Sequence, residues 1–399
     1  MVNRAIAYYI NSYRGLSRDI WLLALVNLIN RAGTMVSPFL SVYMTSQRGF
    51  SVTNAGIIMG LFGVGAMIGG FLGGKLTDKH GYFKVQLIAL TMGGIFFVIL
   101  GYLTNYMLIC TCTFFLGCIN EAFRPANTAA MGALSTTETR TRSFTLMRLS
   151  FNLGWALGVG IAGFIAHFSY TLLFWVDGIT NILAAIGIFL FIPQPQSKTP
   201  ESKITSNSQF SIFDDHTYIK FAMVSVLFLS CFVQLFTNLP IYFKNVAGLN
   251  ERMIGFVSSW NGLLIVLTEM TVIFWLERHW SKRKSVLIGL SLFIIAYLIL
   301  IFFKIGLCGA FVMMTFITVS EILTFSVMVN FWMSRTNDDN RGQYAGIWTM
   351  TWALAQSAGP FLGSLVIDHL SYQALWIIIC GLTAISMYFY NSFYQVENK

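Results

Sequence analysis

The sequence predicts an all-α integral membrane protein in which about twelve transmembrane helices form two six-helix bundles related by a pseudo-two-fold axis. Three observations predict this class: a scarcity of charge, apolar runs of membrane-spanning length, and one polar interruption at mid-chain. Hydrophobic types make up 56% of the 399 residues and charged types only 10%, whereas a soluble domain carries about 25% charged residues. So few charges cannot cover a water-exposed surface, and most of the outer surface is therefore expected to face lipid.

Apolar runs of the required length recur along the whole chain. A helix needs about 20 predominantly apolar residues to cross a bilayer. The predicted helices, numbered 1 to 12, cover residues 19–42, 53–74, 84–104, 106–133, 143–168, 171–192, 217–243, 253–275, 285–303, 306–333, 343–367 and 371–394. An even number of spans places both termini on the same side of the membrane.

A single long polar segment divides these helices into two sets of six. Residues 193–216 are rich in Pro, Ser, Gln and Lys, a composition typical of flexible linkers. The sequence therefore predicts an N-terminal bundle at residues 1–192, a cytoplasmic linker at 193–216 and a C-terminal bundle at 217–399.

The two halves also resemble each other in sequence. The stretch from Thr139 aligns with the stretch from Asn340 at an offset of 201 residues, and Glu121 in helix 4 falls on Glu321 in helix 10 at an offset of 200. Both matches bring the same helix of each half into register, which indicates an internal duplication.

Basic residues are distributed unevenly between the two sides. The side with both termini collects 19 of the 25 Lys and Arg residues, the opposite loops collect 4, and 2 lie inside helices. Because positively charged loops remain cytoplasmic, both termini are predicted to be cytoplasmic. The net charge of +9 follows this loop pattern and does not form one basic face, so no nucleic-acid partner is expected.

Five of the charged residues in predicted helices are taken to lie at membrane depth rather than near a helix end. A charge at mid-bilayer costs about 2.5–3.5 kcal/mol on insertion scales, so each is a functional candidate. They are Arg31 in helix 1, Glu121 and Arg124 in helix 4, Glu269 in helix 8 and Glu321 in helix 10.

The two carboxyl groups that the duplication makes equivalent differ in their neighbours. Glu121 and Arg124 share a helical face and form either a neutralised structural pair or, with Arg31 opposite, a polar centre for substrate or proton. Glu321 has Thr324 where the arginine would be, and burial without a basic partner favours the neutral carboxyl. Glu321 is therefore the predicted proton-exchanging group, with Glu269 in reserve.

Other polar residues in the spans have two possible roles. Gln234 and Asn238 in helix 7 and Gln356 in helix 11 either bind a ligand or hold membrane helices together. Asp177, near the outer end of helix 6, is predicted to lie at the membrane interface. The cysteines form no CxxC pair and the histidines fall in loops or at helix ends, so we expect no metal site, no cofactor and no enzymatic activity.

The loop between helices 2 and 3 reads GGKLTDKHGYFKV. Its Gly, Leu, Asp, Gly and basic residue resemble the signature of the major facilitator superfamily at the same loop. The matching residues are Gly74, Leu76, Asp78, Gly81 and Lys84. The resemblance implies a gating motif at this loop. Asp78 stands just ahead of helix 3 and is expected to cap it. It either does no more than that or also latches the two bundles by meeting the start of helix 11 near Arg341 and Gly342.

Two further stretches resemble branches of this superfamily. The GVGIAG element of helix 5 is similar to the signature of drug/proton antiporters, with Val159 in place of a proline. It also fits the dinucleotide pattern GxGxxG, but no strand precedes it, and small residues at this spacing favour close helix packing. Asn27, Asn30 and Arg31 have the spacing of the ExxER motif of proton-coupled peptide transporters, with both carboxylates replaced by amides.

The resemblance implies two bundles that rock about a central cavity lined by helices 1, 4, 7 and 10, giving alternating access to a small-molecule substrate. A proton-coupled exporter of small organic solutes is favoured. The alternatives are a proton-coupled importer of an amino acid or short peptide, and a lipid flippase. We expect a monomer in a bacterial inner membrane, with substrate, protons and the lipid bilayer as its partners.

The predicted orientation is tested by reporter fusions after Arg48 and after Arg142. Because the first position follows helix 1 and the second precedes helix 5, the two reporters should lie on opposite sides of the membrane, with the one after Arg142 cytoplasmic. Activity of both reporters on the same side would contradict the topology.

Overall fold

The computed structural model describes residues 15–136, 138–194, 212–336 and 341–396. Most of the predicted linker lies outside these ranges. The long helices are α1 (Arg18–Ala32 as α1a and Val36–Ser46 as α1b), α2 (Val52–His80), α3 (Tyr82–Tyr102), α4 (Tyr106–Leu134), α5 (Arg140–Phe168), α6 (Tyr170–Phe191), α7 (His216–Phe232 as α7a and Asn238–Asn245 as α7b), α8 (Glu251–His279), α9 (Lys282–Phe302), α10 (Leu307–Met333), α11 (Arg341–His369) and α12 (Tyr372–Val396).

Eleven helical segments among the described residues are long and apolar enough to cross a membrane. The twelfth long helix, α11, has 29 residues but is rich in Gly, Ser, Thr and Gln, which lowers its hydropathy. It packs against α2 and α7 inside the assembly. The protein is therefore a multi-pass membrane protein whose helices correspond one for one to the twelve predicted segments.

The helices form two bundles with matching internal packing. In the first bundle α2 packs on α4, α3 packs on α4 and α6, and α1a packs on α5. The second bundle repeats each pair six helices later: α8 on α10, α9 on α10 and α12, and α7 on α11. This repetition confirms the predicted pair of related six-helix bundles.

We call the side on which α1 begins and α12 ends the terminal face, and the other side the opposite face. Two helix pairs, α5 with α8 and α2 with α11, make most of the contact between bundles. Near the opposite face, small residues bring the backbones together: a Cβ on Gly163 would lie 2.8 Å from Gly255 Cα, and a Cβ on Gly60 would lie 2.9 Å from the carbonyl oxygen of Ser357. Small residues at membrane helix interfaces permit such approach, as predicted for the GVGIAG element.

The same two helices separate toward the terminal face. Gly70 and Gly74 in α2 and Gly346 in α11 have open space where a Cβ would stand. The bundles are thus closed together at the opposite face, and the space between α2 and α11 widens toward the terminal face.

A cysteine pair tests this arrangement. A Cβ on Gly160 would lie 3.3 Å from Ser259 Cβ, close to the roughly 3.5–4.5 Å that a disulfide needs. Gly160→Cys with Ser259→Cys should therefore cross-link under mild oxidation, detected by mass spectrometry of the purified protein. The matched pair Gly74→Cys with Gly346→Cys should remain reduced. The reverse pattern would show that the terminal face is the closed one.

Candidate functional site

The first bundle contributes an arginine-rich wall to the space between the bundles. Arg31, in the last turn of α1a, places its guanidinium 4.3 Å from the ring centre of Phe151 in α5. Its Nε is buried and has no hydrogen-bond partner in the described part of the chain. Arg124 lies 3.8 Å from Glu121 within α4, and both are within electrostatic range of Arg31. These groups lie within range of one another on helices 1 and 4, and their role as a polar centre for substrate or proton stays a prediction.

In the second bundle, the carboxyl group of Glu321 is hydrogen-bonded to the side-chain amide of Asn261. Glu321 Oε2 accepts a hydrogen bond from Asn261 Nδ2 at 3.0 Å, and the same amide donates to Thr318 Oγ1 at 3.0 Å. Asn261 belongs to α8 and Glu321 to α10, so the amide fixes the carboxyl against the neighbouring helix. Asn261 was not among the predicted site residues, although an amide in the middle of an apolar run was a signal for it.

Glu269 in α8 forms an ion pair with Arg148 in α5, and the pair therefore links the two bundles. The sequence prediction gave Glu269 no partner, because its arginine lies on a helix distant in sequence. The position of Arg148 inside predicted helix 5 was the available signal, since a charge within a span requires compensation.

The amides near Arg31 connect helices within the first bundle. Asn127 in α4 donates to Asn27 Oδ1 at 2.9 Å, and Asn30 donates to Asn181 Oδ1 in α6 at 3.0 Å. Asn27 and Asn30 are buried. Their bonds fix α1a against α4 and α6.

The amides predicted on helices 7 and 11 separate into two environments. Gln234 donates to the carbonyl oxygen of Gly359 at 2.7 Å and accepts from Asn238 at 2.6 Å. Both lie at the break in α7, a 3-10 turn at Val233–Phe236, and Gln234 ties this break to α11. Gln356 is exposed.

Asp177 is buried, so its predicted place at the membrane interface was wrong. Its carboxylate accepts the backbone N–H of Met35 at 3.2 Å and of Val36 at 2.7 Å, the first N–H groups of α1b. A helix start leaves such groups without intrahelical partners, and Asp177 supplies the acceptor from α6. The break in α1 passes close to α6: a Cβ added at Gly33 would lie only 1.8 Å from Thr180 Oγ1. Glycine at this position permits the close approach.

The gating motif differs from its prediction in one respect. Asp78 lies in the last turn of α2 and is exposed, whereas the N-cap of α3 is Gly81, with φ of +81°. The predicted cap of helix 3 by Asp78 was therefore wrong, because α2 continues to His80 and a single glycine forms the turn. Gly74 and Lys84 lie in α2 and α3. The side chain of Arg341 lies outside the described residues, so the predicted contact with it does too.

A polar cluster joins the bundles at the opposite face. Glu251, the first residue of α8, accepts from Tyr170 Oη at 3.0 Å and Lys244 Nζ at 2.6 Å, and His167 Nδ1 lies 3.7 Å away. Tyr170 and His167 belong to the first bundle. A groove of about 380 Å³ lies beside the cluster.

A second cluster holds the second bundle together at the terminal face. Asp215 N-caps α7a through Tyr218 N at 3.0 Å and accepts from Tyr344 Oη at 2.8 Å and Arg335 at 3.1 Å. Burial opposes its charge, but these donors outweigh burial and lower the pKa of Asp215 below its ordinary value. The stability that they contribute is present above the ordinary aspartate pKa and is lost as the pH falls through the lowered value.

Two related six-helix bundles that meet closely at one face and carry charged side chains within their spans have the architecture of a membrane transporter. The family model of the Major Facilitator Superfamily matches residues 20–360 and, in a second match, residues 251–397. The chain belongs to this superfamily.

Relatives and a solved structure agree with this assignment. The chain is 24% identical over 385 residues to an uncharacterized MFS-type transporter, YttB of Bacillus subtilis, covering 93% of the chain and 94% of the relative. It is 22% identical over 363 residues to the quinolone resistance protein NorA of Staphylococcus aureus, covering 88% and 91%. The crystal structure of the nucleoside transporter NupG matches with a TM-score of 0.74 at 14% identity, covering 94% of the chain and 99% of NupG, which shows a shared fold.

Asp177→Ala should destabilise the protein, because the buried N–H groups of Met35 and Val36 lose their acceptor at about 1–3 kcal/mol each. The apparent Tm of the purified protein in detergent should fall. Asp368→Ala is the matched control: Asp368 accepts Thr53 N at 2.7 Å at an exposed helix start, where water can replace it. Equal effects of the two variants would contradict a structural role specific to the buried carboxylate.

Proposed function

We propose that the protein is a proton-coupled exporter of small amphipathic organic compounds and that Glu321 is its coupling carboxyl group. The observation that carries the proposal is the environment of Glu321. Asn261 is its hydrogen-bond donor, and no Lys, Arg or His within the described ranges forms an ion pair with it. An amide donor tolerates both the neutral and the charged carboxyl, so this site can gain and lose a proton.

The other carboxyl groups near the cavity have fixed compensation. Glu121 has Arg124 in its own helix and Glu269 has Arg148 across the interface. A nearby opposite charge favours the ionised form. These two groups therefore already have a counter-charge, which leaves Glu321 as the proposed exchanging site.

The arginines of the first bundle, Arg31 and Arg124, suggest which chemical groups the proposed substrate carries. Arg31 combines a stacked aromatic ring with an unpartnered Nε, an arrangement suited to an anionic or polar group attached to an apolar body. Trp155 in α5 and Phe236 at the α7 break lie 5.7 Å apart, edge to face, between the bundles. They provide apolar surface beside the charged groups.

Export from the cytoplasm across a bacterial inner membrane is the proposed direction, with the terminal face cytoplasmic. The basic residues of the terminal face support this orientation, and the similarity to NorA, a quinolone resistance protein, supports export. The peptide-uptake alternative gains no such support, since Asn27 Oδ1 and Asn30 Nδ2 bond within their own bundle and both residues lack the carboxylate of the ExxER motif.

Glu321→Gln should abolish proton-driven accumulation while substrate exchange persists, because the amide mimics the protonated carboxyl. The protein is reconstituted in liposomes with an internal pH dye and screened against pools of organic compounds that include a fluoroquinolone. A hit is a compound that moves protons when added. Its accumulation is then compared with its counterflow exchange.

Glu121→Gln is the matched control, since the duplication makes this carboxyl equivalent and Arg124 already compensates it. This variant should change the affinity for the compound while proton-driven accumulation remains. Continued accumulation by Glu321→Gln under a pH gradient would show that the coupling site lies elsewhere.

A further inference from the structure

The ion pair between Arg148 and Glu269 occupies a distinctive position in the interface between the bundles. The backbones of α5 and α8 touch near the opposite face, where a Cβ on Gly262 would lie 2.8 Å from Ala156 Cβ. Two turns nearer the terminal face, the contact between the same helices includes this pair of charged side chains. The arginine comes from one bundle and the carboxylate from the other. The distance between the two charged groups therefore depends on how the bundles are placed relative to each other.

Both side chains lie on the cavity side of their helices. Arg148, Phe151 and Trp155 follow a spacing of three and four residues, which places them on one face of α5, and Phe151 contacts Arg31. The lipid-exposed residues of α5 and α8 form separate stripes on the other flank, at Leu157, Ile161 and Phe164 and at Leu263, Leu267, Met270 and Phe274. The arginine is 54% exposed and the glutamate 20% exposed, so water in the cavity reaches the pair.

Glu269 also lies near the proposed proton site. Asn261, which holds Glu321, precedes Glu269 by eight residues on α8, and Glu269 is within electrostatic range of Glu321. Two neighbouring carboxyl groups resist double ionisation, so a proton on one favours charge on the other. A positive charge beside one member therefore decides which member binds the proton.

We propose that Arg148 is a positioning residue for proton coupling: its charge, supplied from the other bundle, compensates Glu269 and leaves Glu321 as the group that binds the proton. This inference rests on the proposed function, in which Glu321 is the coupling carboxyl. Arg148 faces α8 from α5 and Glu321 faces it from α10, while Arg31, Glu121 and Arg124 face the same cavity from α1 and α4.

The origin of the arginine makes proton affinity depend on conformation. Glu269 and Glu321 move together because both belong to the second bundle, whereas Arg148 moves with the first. A bundle movement that lengthens the pair weakens the compensation of Glu269, and the two carboxyl groups together then hold a proton more tightly. A counter-charge within the same helix, such as Arg124 beside Glu121, cannot respond to bundle movement in this way.

The test needs no substrate. The full-length protein is reconstituted in lipid, and infrared difference spectroscopy follows the C=O band of protonated carboxyl groups as the pH is changed. The band component that Glu321→Gln removes identifies Glu321. Arg148→Gln should raise the pH at which the pair of carboxyl groups takes up its proton by about one unit or more, as expected for loss of a close, partly solvated unit charge, and Glu269 should then share that proton with Glu321.

Three further variants distinguish an effect of the Arg148 charge on Glu269 from a nonspecific effect of substitution or of net charge. Arg148→Lys keeps the charge and should largely restore the titration. Arg142→Gln removes a positive charge from the exposed start of α5 and should leave the titration in place. In a Glu269→Gln background, Arg148→Gln should produce less than a third of its shift in the native background, because the group through which it acts is gone.

The outcomes distinguish the two proposals. A titration that Glu321→Gln leaves intact overturns the proposed function. If Glu321→Gln removes the band but Arg148→Gln leaves the proton uptake of the carboxyl pair unmoved, or moves it equally with and without Glu269, only the inference about Arg148 is overturned. If Arg148→Gln fails to fold, Glu269→Gln alone decides: it should move the Glu321 titration to lower pH by removing a like charge, and no movement overturns the inference.

Discussion

The bilayer's penalty on an uncompensated charge is the constraint on which the cavity depends. A charge at the helix centre costs about 2.5–3.5 kcal/mol on insertion scales, so the charged groups of the described spans have acquired different kinds of compensation. Glu121 has a cation on its own helix, Glu269 has one on the other bundle, and Asp177 has two backbone N–H groups at a helix start. Glu321 has an amide, and this weaker compensation is the reason we propose it as the proton-exchanging group.

Small residues determine where the two bundles can meet. At the opposite face the interface of α5 and α8 contains Gly163 and Gly255 in direct backbone contact, and packed backbones of this kind permit few intermediate arrangements. Toward the terminal face Gly70, Gly74 and Gly346 face open space. These glycines would permit the same close approach there if the terminal halves of α2 and α11 came together, so the sequence of these helices suits closure at either end.

Much of the fold was predictable because hydropathy and loop charge depend on short stretches of chain. The twelve segments, the pair of bundles and the candidate charges follow from such local signals. The breaks in α1 and α7 did not, because the apolar pattern continues through residues 33–35 and 233–236 while the backbone leaves the helical path. The position of Asp177 was predicted wrongly for a related reason. The sequence shows how far Asp177 lies from the end of its helix, but it does not show the backbone N–H groups of α1b to which the buried carboxylate is hydrogen-bonded. Arg148 and Glu269 are 121 residues apart, and no pattern within one helix announces such a partner.

The internal duplication allows the carboxyl groups of the two halves to be compared at equivalent positions. α4 and α10 occupy equivalent places, yet α4 carries Glu121 with Arg124 and α10 carries Glu321 with Thr324, whose buried hydroxyl has no partner in the described part of the chain. Glu121 thus has a counter-charge within its own helix, which is insensitive to bundle movement. In the described part of the second half, Glu269 and Glu321 are neighbouring carboxyl groups, and the arginine that pairs with Glu269 belongs to the first half. In the proposed mechanism, duplication followed by unequal compensation places the exchangeable proton in one bundle and the charge that responds to bundle movement in the other.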